Sequence, residues 1–335
     1  MWNRLFTLPR FSLILFETSL NTFEILTLKK GDCDYFQEPP SFPYIPGGDI
    51  AGVVEKADEN SRFKHGDKVL CMFEIPRPLN GLAEYACFEE YLVSHCPGSI
   101  SPSKAACLTS SALTALRAAE TFAKEGNRVL VLGASGGVGC FLVQILKLSK
   151  VSYIAATSTE EKLVKSLGAN RVINYKNENW WEIKEHLEGP FDIIFDLGVG
   201  RYDGWKMAKD TGCLKSGSNG GKYVTLSGDE PCMKVHNLWQ TICFIFSIYK
   251  RCLWTKICPC YVPTYVHFME GLNVAKGGDK DFEKVANMVD EGKLRVIIDP
   301  SSCSMFDLNA VKNAFRVMNN RAAHGKIVIE VRNNL

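Results

Sequence analysis

Val129-Leu130-Val131-Leu132-Gly133-Ala134-Ser135-Gly136-Gly137-Val138-Gly139 is the stretch that decides the fold. Four apolar residues run directly into a glycine-rich turn. Beyond it Val138, Phe141, Leu142, Ile145 and Leu148 recur at helical spacing. The segment reads as strand, tight turn, helix. Glycines let the backbone approach a ligand closely, and the new helix presents free N–H groups and the positive end of its dipole. A pyrophosphate suits that arrangement, which makes Gly133, Ser135, Gly136, Gly137, Val138 and Gly139 a candidate dinucleotide cradle. The competing reading is a purely structural glycine turn in another α/β protein.

Outward from this motif, strand and helix patterns alternate from Asn127 onward. Strands are predicted at Arg128–Leu132, Val151–Thr157, Arg171–Tyr175, Phe191–Asp196 and Lys222–Leu226, with helices near 138–149, 160–167 and 178–187. Such alternation implies a doubly wound parallel sheet with the ligand at its carboxyl edge. Upstream, residues 11–112 carry short apolar runs broken by Pro39-Pro40, Pro46-Gly47-Gly48 and Asn80-Gly81, the pattern of a mostly β domain. Strands are expected at Phe11–Phe16, Ile50–Val54 and Lys68–Phe73, and a helix pair over 103–124. Downstream, 281–292 and 307–319 read as helices, Val296–Ile298 as a short strand and Lys326–Val331 as a closing strand.

The 335 residues suffice for two domains with their own cores. A net charge of +2 argues against a nucleic-acid footprint. Thirteen scattered cysteines read as reduced, mostly buried thiols; Cys252, Cys258 and Cys260 lack paired zinc-ligand spacing and are assigned to packing. No stretch is long and apolar enough for a membrane span. The apolar run Ile242–Tyr249, ended by Lys250-Arg251, is expected to be buried, with an interface or a membrane surface as alternatives. Arg4 and Arg10, without an acid before Glu17, resemble a transit peptide, yet the strand at Phe11 leaves little room for one. The cytoplasm is the first expectation, a mitochondrion or plastid the second.

In family order the chain also carries Ser19-Leu20-Asn21, Phe42-Pro43-Tyr44-Ile45-Pro46-Gly47-Gly48-Asp49-Ile50-Ala51-Gly52, Gly66-Asp67-Lys68-Val69, Gly81-Leu82-Ala83-Glu84-Tyr85, Leu113-Thr114-Ala115, Ser166-Leu167-Gly168-Ala169, Gly292-Lys293-Leu294 and Gly325-Lys326-Ile327-Val328. Over residues 12–331 it thereby resembles the medium-chain dehydrogenase/reductase superfamily. Within it the resemblance is to the zinc-free quinone oxidoreductase and enoyl or alkenal reductase branch, near the reticulon-interacting mitochondrial group. The resemblance implies a GroES-like catalytic domain from 1–115 and 276–335, a Rossmann domain over 116–275, and often a homodimer. It also implies that the chain begins late, short of a strand pair, and that a genuine loss would leave an open sheet edge.

Zinc-dependent relatives place a histidine in the segment that here reads Gly48-Asp49-Ile50, and Cys87, Cys96 and Cys107 are too far apart to form their four-cysteine lobe. Neither a catalytic nor a structural zinc is expected. The second Rossmann strand ends Ala156-Thr157-Ser158-Thr159, without the carboxylate that grips the ribose of NAD. Thr157, Ser158, Lys162 and Tyr175 are therefore candidate contacts for the 2′-phosphate end of NADPH. Ser158 reads equally as a helix cap and Lys162 as a solvated charge. By resemblance Thr114 lies near the nicotinamide amide, and Gly325 and Lys326 belong to a tail that closes over the cofactor. Asn21 takes the family's active-site asparagine position. Tyr35, two residues past Cys33, is the candidate proton donor, or else an exposed loop aromatic. Leu26 stands where some members carry a tyrosine. The function implied is zinc-independent hydride transfer from NADPH to a quinone or α,β-unsaturated carbonyl. A lipid-pathway enoyl reductase and a non-catalytic NADPH-binding regulatory protein are the alternatives. Aromatics between Trp239 and Phe268 either shape a pocket for a planar substrate or pack a core or dimer interface.

Overall fold

The structure is a computed structural model describing residues 10–20, 45–72, 81–96, 98–198, 203–226, 238–268, 278–302 and 307–331. Asn21, Leu26, Cys33 and Tyr35 lie outside the described residues. The chain divides into two compact units, and the division falls between Leu113 and Thr114.

The first unit opens with strands β1 (Arg10–Leu20), β2 (Asp49–Lys56), β3 (Lys68–Met72), β4 (Tyr85–Glu89) and β5 (Val93–His95). Helix α1 (Pro102–Ala106) follows, then one π-helical stretch at Leu108–Ala112 that runs into α2 (Leu113–Phe122), which from Thr114 onward belongs to the second unit. The unit closes with α8 (Gly278–Asp290), α9 (Leu308–Asn319) and β12 (Ile327–Glu330), after the intervening elements of the second unit. Its antiparallel sheet runs β12-β1-β2-β3-β5, with β4 also on β1. Strand β1 is thus hydrogen-bonded on both flanks: β2 on one, β4 along Arg10–Ile14 and β12 along Glu17–Leu20 on the other. Val311, Ala314 and Met318, at i, i+3 and i+7, turn one face of α9 onto Ile327 and Ile329. Asp307 caps that helix, accepting from the Ala310 N–H at 2.8 Å.

The second unit carries β6 (Arg128–Leu132), α3 (Gly137–Leu148), β7 (Tyr153–Thr157), α4 (Glu161–Leu167), β8 (Arg171–Ile173), α5 (Lys184–Glu188), β9 (Ile193–Asp196), α6 (Gly204–Thr211), β10 (Lys222–Thr225), α7 (Leu238–Ile257) and β11 (Thr264–His267). All six strands are parallel, in the order β11-β10-β9-β6-β7-β8. Renumbered from β6, that is 6-5-4-1-2-3, the doubly wound order whose direction reverses between β6 and β9. Leu130, Ile194, Phe191, Trp180, Tyr223 and Tyr265 build the core beside this sheet. Burial pushes the Cys213 thiol in that core up to about 11, so it packs as a neutral group.

Several sequence expectations fail here. Val296–Ile298 forms no strand, only a bridge from Ile298 to Lys326. Of the ten described cysteines only Cys71, Cys107, Cys140 and Cys213 are buried. The helix predicted over 178–187 is confined to Lys184–Glu188. Asn174 diverts the chain first: its side chain takes the Lys176 N–H and its carbonyl the Asn177 N–H, and the turns that follow bury Trp180. The run Ile242–Tyr249 is helical but not wholly buried: Ile242, Ile245, Phe246 and Tyr249 stand exposed.

Candidate active site

The glycine turn is built by steric need. Gly133 has φ 84°, a conformation that an L side chain rarely adopts. A Cβ on Gly139 would lie 2.5 Å from the Gly133 carbonyl oxygen, so only glycine lets α3 start against the turn. Gly136 is the N-cap of α3 and brings no side-chain acceptor. The first-turn N–H groups of Gly137, Val138 and Gly139 have no intrahelical acceptor and lie at the sheet's reversal point. Backbone donors and a positive helix end without a side-chain cap fit the pyrophosphate of a dinucleotide.

Thr157 ends β7 beside the turn. Its Oγ1 accepts from the Gly133 N–H at 2.9 Å, and its carbonyl accepts from the Ala134 N–H at 3.1 Å. Thr157 is buried, so its hydroxyl positions the turn from behind. Ser158 is buried too, and its Oγ accepts from the Glu160 N–H at 2.9 Å in a turn before α4, whose N-cap is Glu160. Lys162, on α4, is exposed; Tyr175, two residues beyond β8, is half-buried. Thr114 is buried in the first turn of α2, just after the π-helical stretch.

Asp196 lies outside the glycine motif and the other sequence landmarks. It ends β9 across the reversal point from β6; its Oδ2 accepts from the Tyr223 hydroxyl at 2.7 Å and its Oδ1 from the Gly198 N–H at 3.1 Å. The signal was present in Phe195-Asp196-Leu197-Gly198, a carboxylate followed by glycine at a strand's carboxyl end.

Gly325 and Lys326 belong to the first unit. Gly325 has φ 94°, and beyond it the Lys326 N–H donates to the Ile297 carbonyl at 2.9 Å. The Lys326 ammonium, 3% exposed, lies 3.0 Å from Asp49 Oδ2. Ser110, in the π-helical stretch, donates its hydroxyl to the same oxygen at 2.6 Å and its N–H to Oδ1 at 3.2 Å. The segment that carries a metal-binding imidazole in zinc enzymes here carries a carboxylate already matched by an ammonium. Among the described residues no three His, Cys, Asp or Glu side chains come together to hold a metal. This donor set does not fit zinc.

An antiparallel sheet unit joined to a six-stranded dinucleotide-type unit defines the class of the pyridine-nucleotide dehydrogenases. Known proteins agree. Residues 17–99 match the alcohol dehydrogenase GroES-like domain, and residues 167–329 the zinc-binding dehydrogenase family. The human mitochondrial NAD(P)H oxidoreductase RTN4IP1 is 33% identical over 303 residues, 87% of this chain and 71% of that one. A chloroplastic quinone-oxidoreductase homolog of Spinacia oleracea is 32% identical over 87% of this chain and 81% of its own. The 2-methylene-furan-3-one reductase of Solanum lycopersicum is 30% identical over 86% of this chain and 63% of its own. The quinone oxidoreductase of Coxiella burnetii has the same fold, with a TM-score of 0.76, 24% identity, and coverage of 96% of this chain and 90% of that one. The chain belongs to the medium-chain dehydrogenase/reductase superfamily, in its quinone and alkenal oxidoreductase branch.

Proposed function

We propose that this protein is a zinc-independent oxidoreductase that uses NADPH to reduce a quinone or an α,β-unsaturated carbonyl. The observation that carries the reading is the uncapped glycine turn at the sheet's reversal point, beside a second strand that ends without a carboxylate. Relatives named as NAD(P)H oxidoreductases, quinone oxidoreductases and an NADPH-dependent alkenal/one oxidoreductase support it.

When bound, the nicotinamide supplies the hydride. The chain supplies placement. Gly133 to Gly139 hold the pyrophosphate, Thr157 fixes the turn through Gly133, and Asp196 anchors the facing strand end through Tyr223. Thr157 and Ser158 accept backbone N–H groups and can still donate their hydroxyl protons, so together with the exposed Lys162 and Tyr175 they are the contacts for the 2′-phosphate. Asn21 holds the acceptor carbonyl or the cofactor ribose. An enone takes the hydride at its β-carbon and becomes an enolate; a proton from Tyr35 or water at the α-carbon completes the saturated carbonyl. A quinone that takes one hydride and one proton leaves as the hydroquinone.

Fluorescence titration of the purified chain with NADPH and NADH tests the cofactor. Tight, NADPH-selective binding that Gly139→Ala weakens at least tenfold is expected, because the added methyl displaces the cradle. Equal affinity for the two nucleotides ends the NADPH assignment. A panel of quinones and enals tests the activity; nucleotide binding without turnover on any acceptor leaves the regulatory alternative in its place.

A further inference from the structure

Helix α7 is fixed by one side. Arg251 pairs with Asp203 at 2.7 and 3.2 Å and lies over the Trp205 and Tyr265 rings, at 5.2 and 5.4 Å from their centroids. Ile248 and Cys252 pack on the sheet core, and Thr255 is buried. The opposite side is apolar and open. Trp239, Ile242, Phe246, Tyr249, Leu253 and Ile257 follow one another at three- and four-residue steps, a single helical stripe. Their exposure is high: 71% for Trp239, 70% for Tyr249 and 68% for Ile257, with Tyr261 at 85% just beyond the helix. Each buried aromatic can contribute about 150–250 Å², so the stripe far exceeds the scattered apolar residues of an ordinary surface.

Charge distinguishes the possible occupants. The sequence has no Asp or Glu between Glu230 and Glu270. Lys250 stands within the exposed arc and Lys256 at its margin, both exposed. A second copy of this helix seated on the face would offer no carboxylate to pair with these lysines. An anionic lipid surface answers both features: headgroup phosphates and carboxylates meet the lysines, while Trp and Tyr suit the headgroup boundary. No described helix is long and apolar enough to cross a membrane, so the contact lies in the interface plane.

We propose that the outward face of α7 is a peripheral docking surface for an anionic bilayer, with the helix lying along it. This goes beyond the oxidoreductase reading and does not depend on it.

The test is flotation of the full chain with two sets of vesicles, pure phosphatidylcholine and phosphatidylcholine with roughly a third phosphatidylserine. Binding is expected to favour the anionic vesicles and to weaken with salt. Lys250→Glu/Lys256→Glu should lower it at least tenfold, and Phe246→Ser/Leu253→Ser should abolish it. These side chains face solvent, so cooperative thermal unfolding should persist in every variant. Leu308→Ser, at an exposed apolar residue of the first unit, should bind as the parent does. Failure of the folded parent chain to bind anionic vesicles overturns the proposal. So does a dimer, seen by sedimentation, that Phe246→Ser/Leu253→Ser dissociates while vesicle binding is absent; the face then belongs to a second copy.

Discussion

Asp49 in the first unit and Asp196 in the second are both buried carboxylates at a strand end, and they are held in opposite ways. Asp49 faces the Lys326 ammonium, which reaches it from the far end of the chain, together with Ser110. Two neutral donors, the Tyr223 hydroxyl and the Gly198 N–H, reach Asp196 from within its own unit. An ion pair out of water forfeits hydration on both sides and is strong only while complete. A carboxylate held by hydroxyl and amide donors loses them one at a time. The Lys326 contact is therefore the costlier one to break.

Lys326→Met should break the contrast most severely. It strands the buried Asp49 charge and should cost about 3–5 kcal/mol in denaturant unfolding. Adding Asp49→Asn should recover a large part of that loss; a double variant as unstable as the single would deny that the stranded charge is the cause. Tyr223→Phe should cost less, about 1.5–3 kcal/mol, because other donors to Asp196 remain. A larger loss than that of Lys326→Met would reverse the comparison. Thr157→Val tests a neutral contact at the cofactor turn. It should cost about 1 kcal/mol and weaken nucleotide binding, with Thr157→Ser restoring both. Equal binding by the valine variant would remove Thr157 from the positioning of Gly133.

The smallest effect is expected at His186. Its Nδ1 lies 2.8 Å from the Trp180 carbonyl, and burial holds the ring's pKa below the usual histidine value. The unfolded chain therefore takes up a proton near pH 6.5 that the folded chain still refuses. The contribution is full above that pH and declines as pH falls toward the folded-state value. His186→Asn keeps a donor near Trp180 and should flatten the stability profile below pH 6.5. An unchanged slope would assign it to other groups.

The second unit was legible because its signals are local. Glycine after an apolar strand, helical spacing after glycine and hydroxyls in place of a carboxylate are all contiguous, and β6, β7 and α3 fall within a residue or two of where the pattern puts them. The strand β11 escaped notice because Thr264–His267 is short and follows a long apolar helix. Site chemistry was less legible wherever it depends on distant partners. Nothing near Lys326 announces Asp49, and nothing near Thr157 announces that its hydroxyl serves Gly133 instead of standing free. Ile242–Tyr249 misled in a different way. An apolar run looks the same whether it faces a core or the outside, and only the packing of Arg251 and Ile248 on the other side fixes which face is inward.

The pairing of β1 with β12 has a consequence for synthesis on the ribosome. Leu20 is matched with Ile327 and Glu17 with Glu330, so the first sheet waits for Ile327–Glu330 to emerge. The parallel sheet from Arg128 to His267 comes from one unbroken stretch of chain and can assemble earlier. Until Ile327–Glu330 has emerged, β1 lacks that partner along Glu17–Leu20, an unpaired strand edge that invites aggregation or a chaperone.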